Sequence, residues 1–377
     1  MAGIKCPKMI QLINKGDNMK IDKELKDNRK NITETANNNK TFTFIDLFAG
    51  IGGFHIGLHN VGGECVFASE WDIEARNTYT KNFNRIAPHL FDSQGNPTDL
   101  FAGDITQVDP RDIPNHDILC AGFPCQPFSI SGKQQGFNDT RGTLFFNILE
   151  IVKEKKPKVI LLENVKHLIH HDKGNTFRVI KEELIKIGYK ISWKVLNAKD
   201  FGLAQNRERI IIIGSIDKEF DFSKIEKQKN ITIKDILDES GDFEYLDAKD
   251  YTILQESQWK KQVSGLIFCG YRNKSVRTVG ARPNTEHLSR VHKQPNRIYH
   301  IDGTHPTIPS QEPTGRFWIY DGSTVRKLTI IECYKLQGFP YDFVVHEKRT
   351  ASYNQVGNSV AVPMIEAIAN EIKEQLL

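Results

Sequence analysis

The sequence predicts an α/β fold: a sheet with a nucleotide-type crevice at its strand ends, interrupted by a smaller, irregular domain. Three observations lead there. From Thr41 to about Lys218, short runs that are apolar throughout are followed by Gly or polar turns and then by helical stretches. Such runs suit strands buried on both faces, and the helices between them suit right-handed crossovers. After about Lys218 the rhythm stops, and up to Val325 Gly, Pro, Arg and His occur without clear alternation. Near the end, Val362, Ile365, Ala369, Ile372 and Leu376 recur three and four apart, so one face of a helix from about Pro363 to Leu376 needs a core to cover.

The strand candidates are Phe44 to Phe48, Cys65 to Glu70, Ile118 to Ala121, Val159 to Glu163, Ile191 to Leu196 and Ile210 to Gly214. A chain of 377 residues exceeds one compact core and suggests two domains. Residues 1–40, rich in Lys, Asn and Asp, bury too little to order themselves and are expected to be a disordered tail. Residues 41–218 with 354–377 should form the first domain, because the terminal stripe fits its sheet. Residues 219–325 should form the second, and 326–353 a hinge and connection.

Composition excludes several classes. No apolar run approaches the roughly 20 residues of a membrane helix, and Met1 to Lys40 lacks the apolar stretch of a secretory leader, so a cytoplasmic protein is expected. Cysteines at 6, 65, 120, 125, 269 and 333 have no paired spacing, which points to neither a disulfide framework nor a metal site. The net charge of +4 is unevenly placed. Between Lys260 and His300 nine basic residues face Glu286 alone, a local +8 against −4 for the rest. That suits a polyanion partner at one place, or a solvated basic face.

Four motifs carry candidate chemistry. In Phe44-Ile-Asp-Leu-Phe-Ala-Gly-Ile-Gly-Gly-Phe54 a strand runs into Gly50, Gly52 and Gly53 and then a helix, a turn that lets backbone approach a ligand. Glu70, ending the next strand, stands where nucleotide folds place a carboxylate for ribose hydroxyls. A dinucleotide site wants a third Gly where His55 stands, which disfavours a nicotinamide enzyme. The same glycines would also serve a turn that only packs helix on strand. In Ala121-Gly-Phe-Pro-Cys-Gln-Pro-Phe-Ser129, Cys125 lies between two prolines on a loop at the crevice edge, rigid and accessible, unless it is a buried structural thiol. In Leu161-Leu-Glu-Asn-Val165 the strand end brings Glu163 to the same edge, though Asn164 could be a cap and Glu163 merely solvated. Gln205-Asn-Arg-Glu-Arg-Ile210 puts Arg207 and Arg209 on one face of a strand, which a plain salt-bridge pair would also explain.

In order and spacing these blocks resemble the signature blocks of the C5-cytosine DNA methyltransferases, above all the compact single-chain enzymes of bacterial restriction-modification systems. The resemblance covers about Thr41 to Gly214 and returns from Arg326 in Arg326-Lys-Leu-Thr329, Glu332-Cys-Tyr-Lys-Leu-Gln-Gly-Phe-Pro340 and Gln355-Val-Gly-Asn-Ser-Val360. In the middle segment only Thr307-Ile308 looks family-like, as the short Thr-aliphatic element of a target-recognition domain. The resemblance implies a Rossmann-like S-adenosylmethionine-dependent methyltransferase sheet with a smaller target-recognition domain, acting on double-stranded DNA; a monomer without a metal is expected.

Cytosine C5 is too weakly nucleophilic to take a methyl group until a thiolate adds at C6, a role that falls to Cys125. The charge this loads on the ring must be met at N3 by a carboxylic acid of raised pKa, for which Glu163 is the candidate. The resemblance places Arg207 near the base O2 and next to that acid, with Arg209 as its supporting neighbour. It further implies that Phe48 stacks near adenine, Glu70 binds ribose, Trp71 packs on the base, Asp104 and Ile105 hold the adenine edge, and Pro124, Leu144 and Asn358 line the same pocket with Gly50, Gly52 and Gly53. The target must leave the duplex, and Ser129 and Ser131 are candidates for its phosphate. Arg272, Arg277, Arg282, Arg290 and Arg297, with Thr307 and Ile308, are the candidate DNA contacts, because a guanidinium fork can make two hydrogen bonds to guanine. A tRNA cytosine-5 methyltransferase is the nearest rival. A catalytically dead DNA-binding relative is disfavoured, because every catalytic position is filled.

Overall fold

The computed structural model describes residues 41–124, 143–274, 285, 287–311 and 317–377. The expected tail 1–40, Cys125, Ser129, Ser131, Arg277 and Arg282 lie outside the described residues. The first part of the chain runs β1 (Phe42–Leu47), α1 (Gly53–His59), β2 (Gly63–Ser69), α2 (Ile73–Phe83), β3 (Phe101–Ala102), β4 (Ile118–Ala121), α3 (Thr143–Lys155), β5 (Val159–Val165), α4 (Asn175–Lys186), β6 (Lys190–Asn197), β7 (Gln205–Asn206) and β8 (Glu208–Ser215). Seven of these strands form one sheet in the order β3-β2-β1-β4-β5-β8-β6.

All six expected strands are present, each end within two residues of its expected place. Their unbroken apolar character has the expected cause. Phe44, Ile118, Leu161 and Ile211 face one core, while Ile45, Leu119, Leu162 and Ile212 face another on the opposite side. Strand β3, only two residues long, carries no pattern and was not expected. Helical crossovers throughout were expected, and here the structure differs: β8 runs antiparallel to both β5 and β6. The link from β6 holds only a 3-10 turn, Ala198–Phe201, and the short β7. So short a link cannot cross over, and the chain folds back.

The expected irregularity of residues 219–325 is also corrected. Strands β9 (Tyr251–Ile253), β10 (Lys260–Lys261), β11 (Ile267–Arg272), β12 (Arg297–His300), β14 (Trp318–Tyr320) and β15 (Val325–Lys327) form a second sheet, while β13 (His305–Pro306) pairs with β7. Strands of two to six residues with long loops between them leave no readable period. Phe220, Ile233 and Ile236 pack into the core of the large sheet, and β15 continues past residue 325.

Helices α5 (Ile330–Gln337), α6 (Arg349–Asn358) and α7 (Val362–Leu376) bring the chain back to the first sheet. All five residues of the α7 stripe are buried. Among the described residues no helix is long and apolar enough to cross a membrane. The return is anchored by a buried ion pair. Glu332 of α5 accepts from Arg326 at 2.8 and 2.9 Å, from Thr329 N at 2.7 Å and from Asp238 N at 2.9 Å.

Removing one partner of a buried pair strands the other charge, so Glu332→Gln should cost about 3–5 kcal/mol. The double change Arg326→Met with Glu332→Leu should recover part of that loss, as read from chemical denaturation midpoints.

Burial pulls the imidazoles of His116 and His305 down to about 4, whereas an unburied imidazole titrates near 6.5. Their contribution to stability is complete above about pH 6.5 and is lost as the pH falls through about 4. Asp46, whose carboxyl burial raises, acts in the opposite sense. The expected outcome is therefore a difference: between pH 6.5 and 4 the Tm of His305→Gln falls less than that of the wild type.

Candidate active site

The parallel strands β1, β2, β4 and β5 end at one edge, and the loops that follow them enclose a cavity of about 770 Å³. Gly52 has φ 85°, and a Cβ there would lie 2.3 Å from the Phe83 ring. Gly53 has no room for a Cβ because Ser359 and Val360 come within 2.7 Å of that position. Phe48, with φ 57°, is held in the left-handed region without being glycine, a strain that marks functional loops. Both Glu70 oxygens are tied, one by Gly50 N and one by Asp72 N, each at 2.8 Å. Burial raises the Glu70 pKa, and these two N–H groups oppose the rise.

Phe48, Gly50, Gly53, Glu70, Trp71, Asp104, Ile105, Pro124, Leu144 and Asn358 all line this cavity. Of the expected cofactor residues only Gly52 does not, since it packs on Phe83 behind the loop. Trp71 is 82 % exposed, an apolar face open to a ligand ring. Asp104 uses Oδ1 to cap the turn at Ile105–Gln107. The wall also carries polar groups without a protein partner: among the described residues Nε2 of Gln355 and Nε of Arg207 are buried and unbonded. Aromatic faces, a tied carboxylate and unmet N–H donors in a volume of this size fit an adenosine-type ligand with a polar tail.

At the mouth of this wall Glu163 Oε1 lies 3.0 Å from Arg209 Nε, with both side chains nearly buried. Asn164 donates to the Phe123 carbonyl at 2.8 Å and accepts from Val165 N, so it fixes the loop that leads into Cys125 rather than capping a helix. The arginine roles exchange relative to expectation. Arg209, not Arg207, is the partner of the acid. Arg207 is 2 % exposed and donates to the carbonyls of Ile308, Gly357 and Ser359 at 3.1, 3.2 and 2.7 Å. Burial first, and the neighbouring Arg209 second, lower its pKa. Arg207 lies between β7 and β8 and not within a strand, so the expected alternation does not decide which neighbour it meets.

The expected DNA contacts divide. Arg290 is exposed. Arg297 donates to His292 O and Gln294 Oε1, and Arg272 stacks over Trp318 at 5.3 Å. Ile308 is corrected: its side chain is fully buried, its N–H donates to Gln205 Oε1 and its carbonyl accepts from Arg207, so it offers no surface to DNA. The Thr307 hydroxyl donates to Asn206 O at 2.6 Å. Sequence reasoning missed Asn354, Gln355 and Ser359 as cavity residues, although the block Gln355–Val360 contains two of them. Their signal was a block, not a contact: the bond from Thr78 to Gln355 spans 277 positions.

The model of the family described as C-5 cytosine-specific DNA methylase matches residues 42–374. Type II methyltransferase M.HhaI of Haemophilus parahaemolyticus is 40% identical over 346 residues, covering 88% of this chain and 94% of its own. Type II methyltransferase M.HaeII of Haemophilus aegyptius is 41% identical over 349 residues, covering 89% and 94%. Among solved structures, the S. pombe Dnmt2 methyltransferase superposes with a TM-score of 0.61 at 18% identity, over 89% of this chain and 100% of that one, a likeness of fold alone. The chain belongs to the C-5 cytosine-specific DNA methylase family and is a DNA cytosine-5 methyltransferase.

Proposed function

We propose that this enzyme methylates carbon 5 of a cytosine flipped out of a short duplex DNA site, with S-adenosylmethionine as donor and Cys125 as covalent nucleophile, and that it protects DNA in a restriction-modification system. The observation that carries this reading is the Glu163–Arg209 pair on the wall of the same cavity as Phe48, Glu70 and Trp71. Pro124, the residue before Cys125, lines it too.

S-adenosylmethionine bound among Phe48, Glu70, Trp71, Asp104 and Asn358 supplies an electrophilic methyl group. The protein's part is to make C5 able to take it. The Cys125 thiolate adds to C6, forming the S–C6 bond and shifting electron density to C5 and N3. Glu163 as the carboxylic acid, oriented by Arg209, donates its proton toward N3 and meets that charge, while the arginine's remaining N–H groups reach the neighbouring O2. Once C5 has taken the methyl group, loss of the C5 proton to water breaks the S–C6 bond, frees the Cys125 thiolate and restores the ring. The second sheet, with its basic window, reads the site. The tRNA reading loses ground, because the relatives at about 40% identity are Type II methyltransferases and the Dnmt2 likeness is one of fold.

Cys125→Ser should lose methylation by several orders of magnitude yet still bind DNA and cofactor. DNA carrying 5-fluorocytosine should trap the wild type in a denaturation-resistant adduct, since fluorine cannot leave as a proton does. Retained turnover, or no adduct on a denaturing gel, refutes covalent catalysis.

Glu163→Gln and Arg209→Ala should each slow methyl transfer about 10²- to 10⁴-fold, the scale of a lost acid–base group. Single-turnover rates on saturating DNA provide the check, and a rate within a few-fold of wild type would make the pair structural only.

A further inference from the structure

Three segments far apart in the sequence meet at Arg207. It follows β7, immediately before the strand that carries Arg209. Ile308, whose carbonyl it binds, belongs to the segment that links β12 to β14 of the second sheet, and Gly357 and Ser359 are wall residues of the cavity. Around this cation the contacts are dense. Gln205 accepts from Ile308 N at 3.0 Å and donates to Leu336 O and to Gln337 Oε1, and Gln337 in turn donates to Val356 O and Ser359 O. Gly357 lies so near Pro309 that a Cβ on it would be 2.3 Å from that carbonyl oxygen.

Among the described residues Arg207 forms no ion pair, so backbone carbonyls stand in for the water that its charge has lost. Withdrawing any one of them leaves a buried donor unmet. The Ile308 segment and the Gly357–Ser359 wall therefore hold or shift as one unit. Whatever orders the wall also restricts Ile308, and whatever fixes the second sheet restricts the wall.

We propose that Arg207 is a positioning residue that couples DNA binding by the second sheet to cofactor binding in the cavity. This rests on the functional reading above. Coupling of this kind is reciprocal: each ligand must raise the affinity for the other by the same factor.

The test uses the full chain, S-adenosylhomocysteine, and a duplex around a cytosine that the wild type methylates, located by bisulfite sequencing of treated plasmid. Calorimetry gives the affinity for S-adenosylhomocysteine with and without DNA, and titration of labelled duplex gives the reverse. The wild type should show a common factor of about five or more. Arg207→Lys, which can reach only part of the carbonyl set, should bring that factor below about twofold while Tm stays within a few degrees, and the affinity for each ligand alone is read beside it because Arg207 also lines the cavity. Thr307→Val, which deletes the bond to Asn206 O at the far side of the joint, should lower the factor in the same direction. A wild-type factor of one overturns the proposal, as does an unchanged factor in whichever variant folds. A parallel loss of Tm and of both separate affinities also overturns it, by showing a structural part only. If no plasmid cytosine is methylated, the functional reading itself falls and takes this inference with it.

Discussion

A guanidinium buried without a carboxylate can exist only where the chain delivers free carbonyls to it. Arg207 meets this condition at the end of α6, where Gly357 and Ser359 have carbonyls that no helical N–H can reach. The negative end of a helix is also the favourable end for a cation. That one contact fixes where α6 stops and hence where Asn358 and Ser359 stand on the cavity wall. It also sets the point from which α7 departs to cover the sheet. Gln337 supports the same helix end from α5, donating to Val356 O and Ser359 O.

The reversed strand β8 makes sense in the same frame. Parallel strands present their carboxyl ends at one edge, which is why Phe48, Glu70, Pro124 and Glu163 converge. An antiparallel neighbour brings its beginning to that edge instead. Val165 pairs with Arg209 in the register of β5 and β8, which sets the arginine beside Glu163. A parallel strand in that position would have carried its first residues to the opposite edge of the sheet. The short link that forbids a crossover is thus what gives the acid its partner.

Much of this was legible in the residues. Apolar runs located six strands because both faces of the sheet are covered, and the α7 stripe was legible because one face of that helix meets the core. Glu70 was legible because a strand end at that distance from a glycine turn has few other places to be. The exchange of Arg207 and Arg209 was not, because strand parity assigns a side and says nothing about the residues that arrive from position 308 or 357. Nor was the burial of Ile308, since a Thr-aliphatic pair reads alike on a surface and in a joint. The second sheet escaped because its cores are small, with Leu266, Phe268, Tyr299 and Phe317 on one side and Cys269, Ile298, Trp318 and Val325 on the other.

The basic window illustrates how charge and contact part company. Reading a base edge requires a guanidinium with two free N–H groups facing outward. Arg297 has Nε and Nη1 engaged within its own turn, and the plane of Arg272 lies on Trp318, a ring that Lys327 also covers, at 4.9 Å. Of the described arginines in the window, Arg290 alone is exposed. Engagement by neutral partners removes forks but no charge, and a field acts across a screening length of about 8 Å at physiological salt. The window therefore keeps its charge, while among its described arginines only Arg290 stands exposed. Arg272 and Arg297 are held by the second sheet itself, so local excess charge in a sequence does not by itself say which guanidinium groups are free to make contacts.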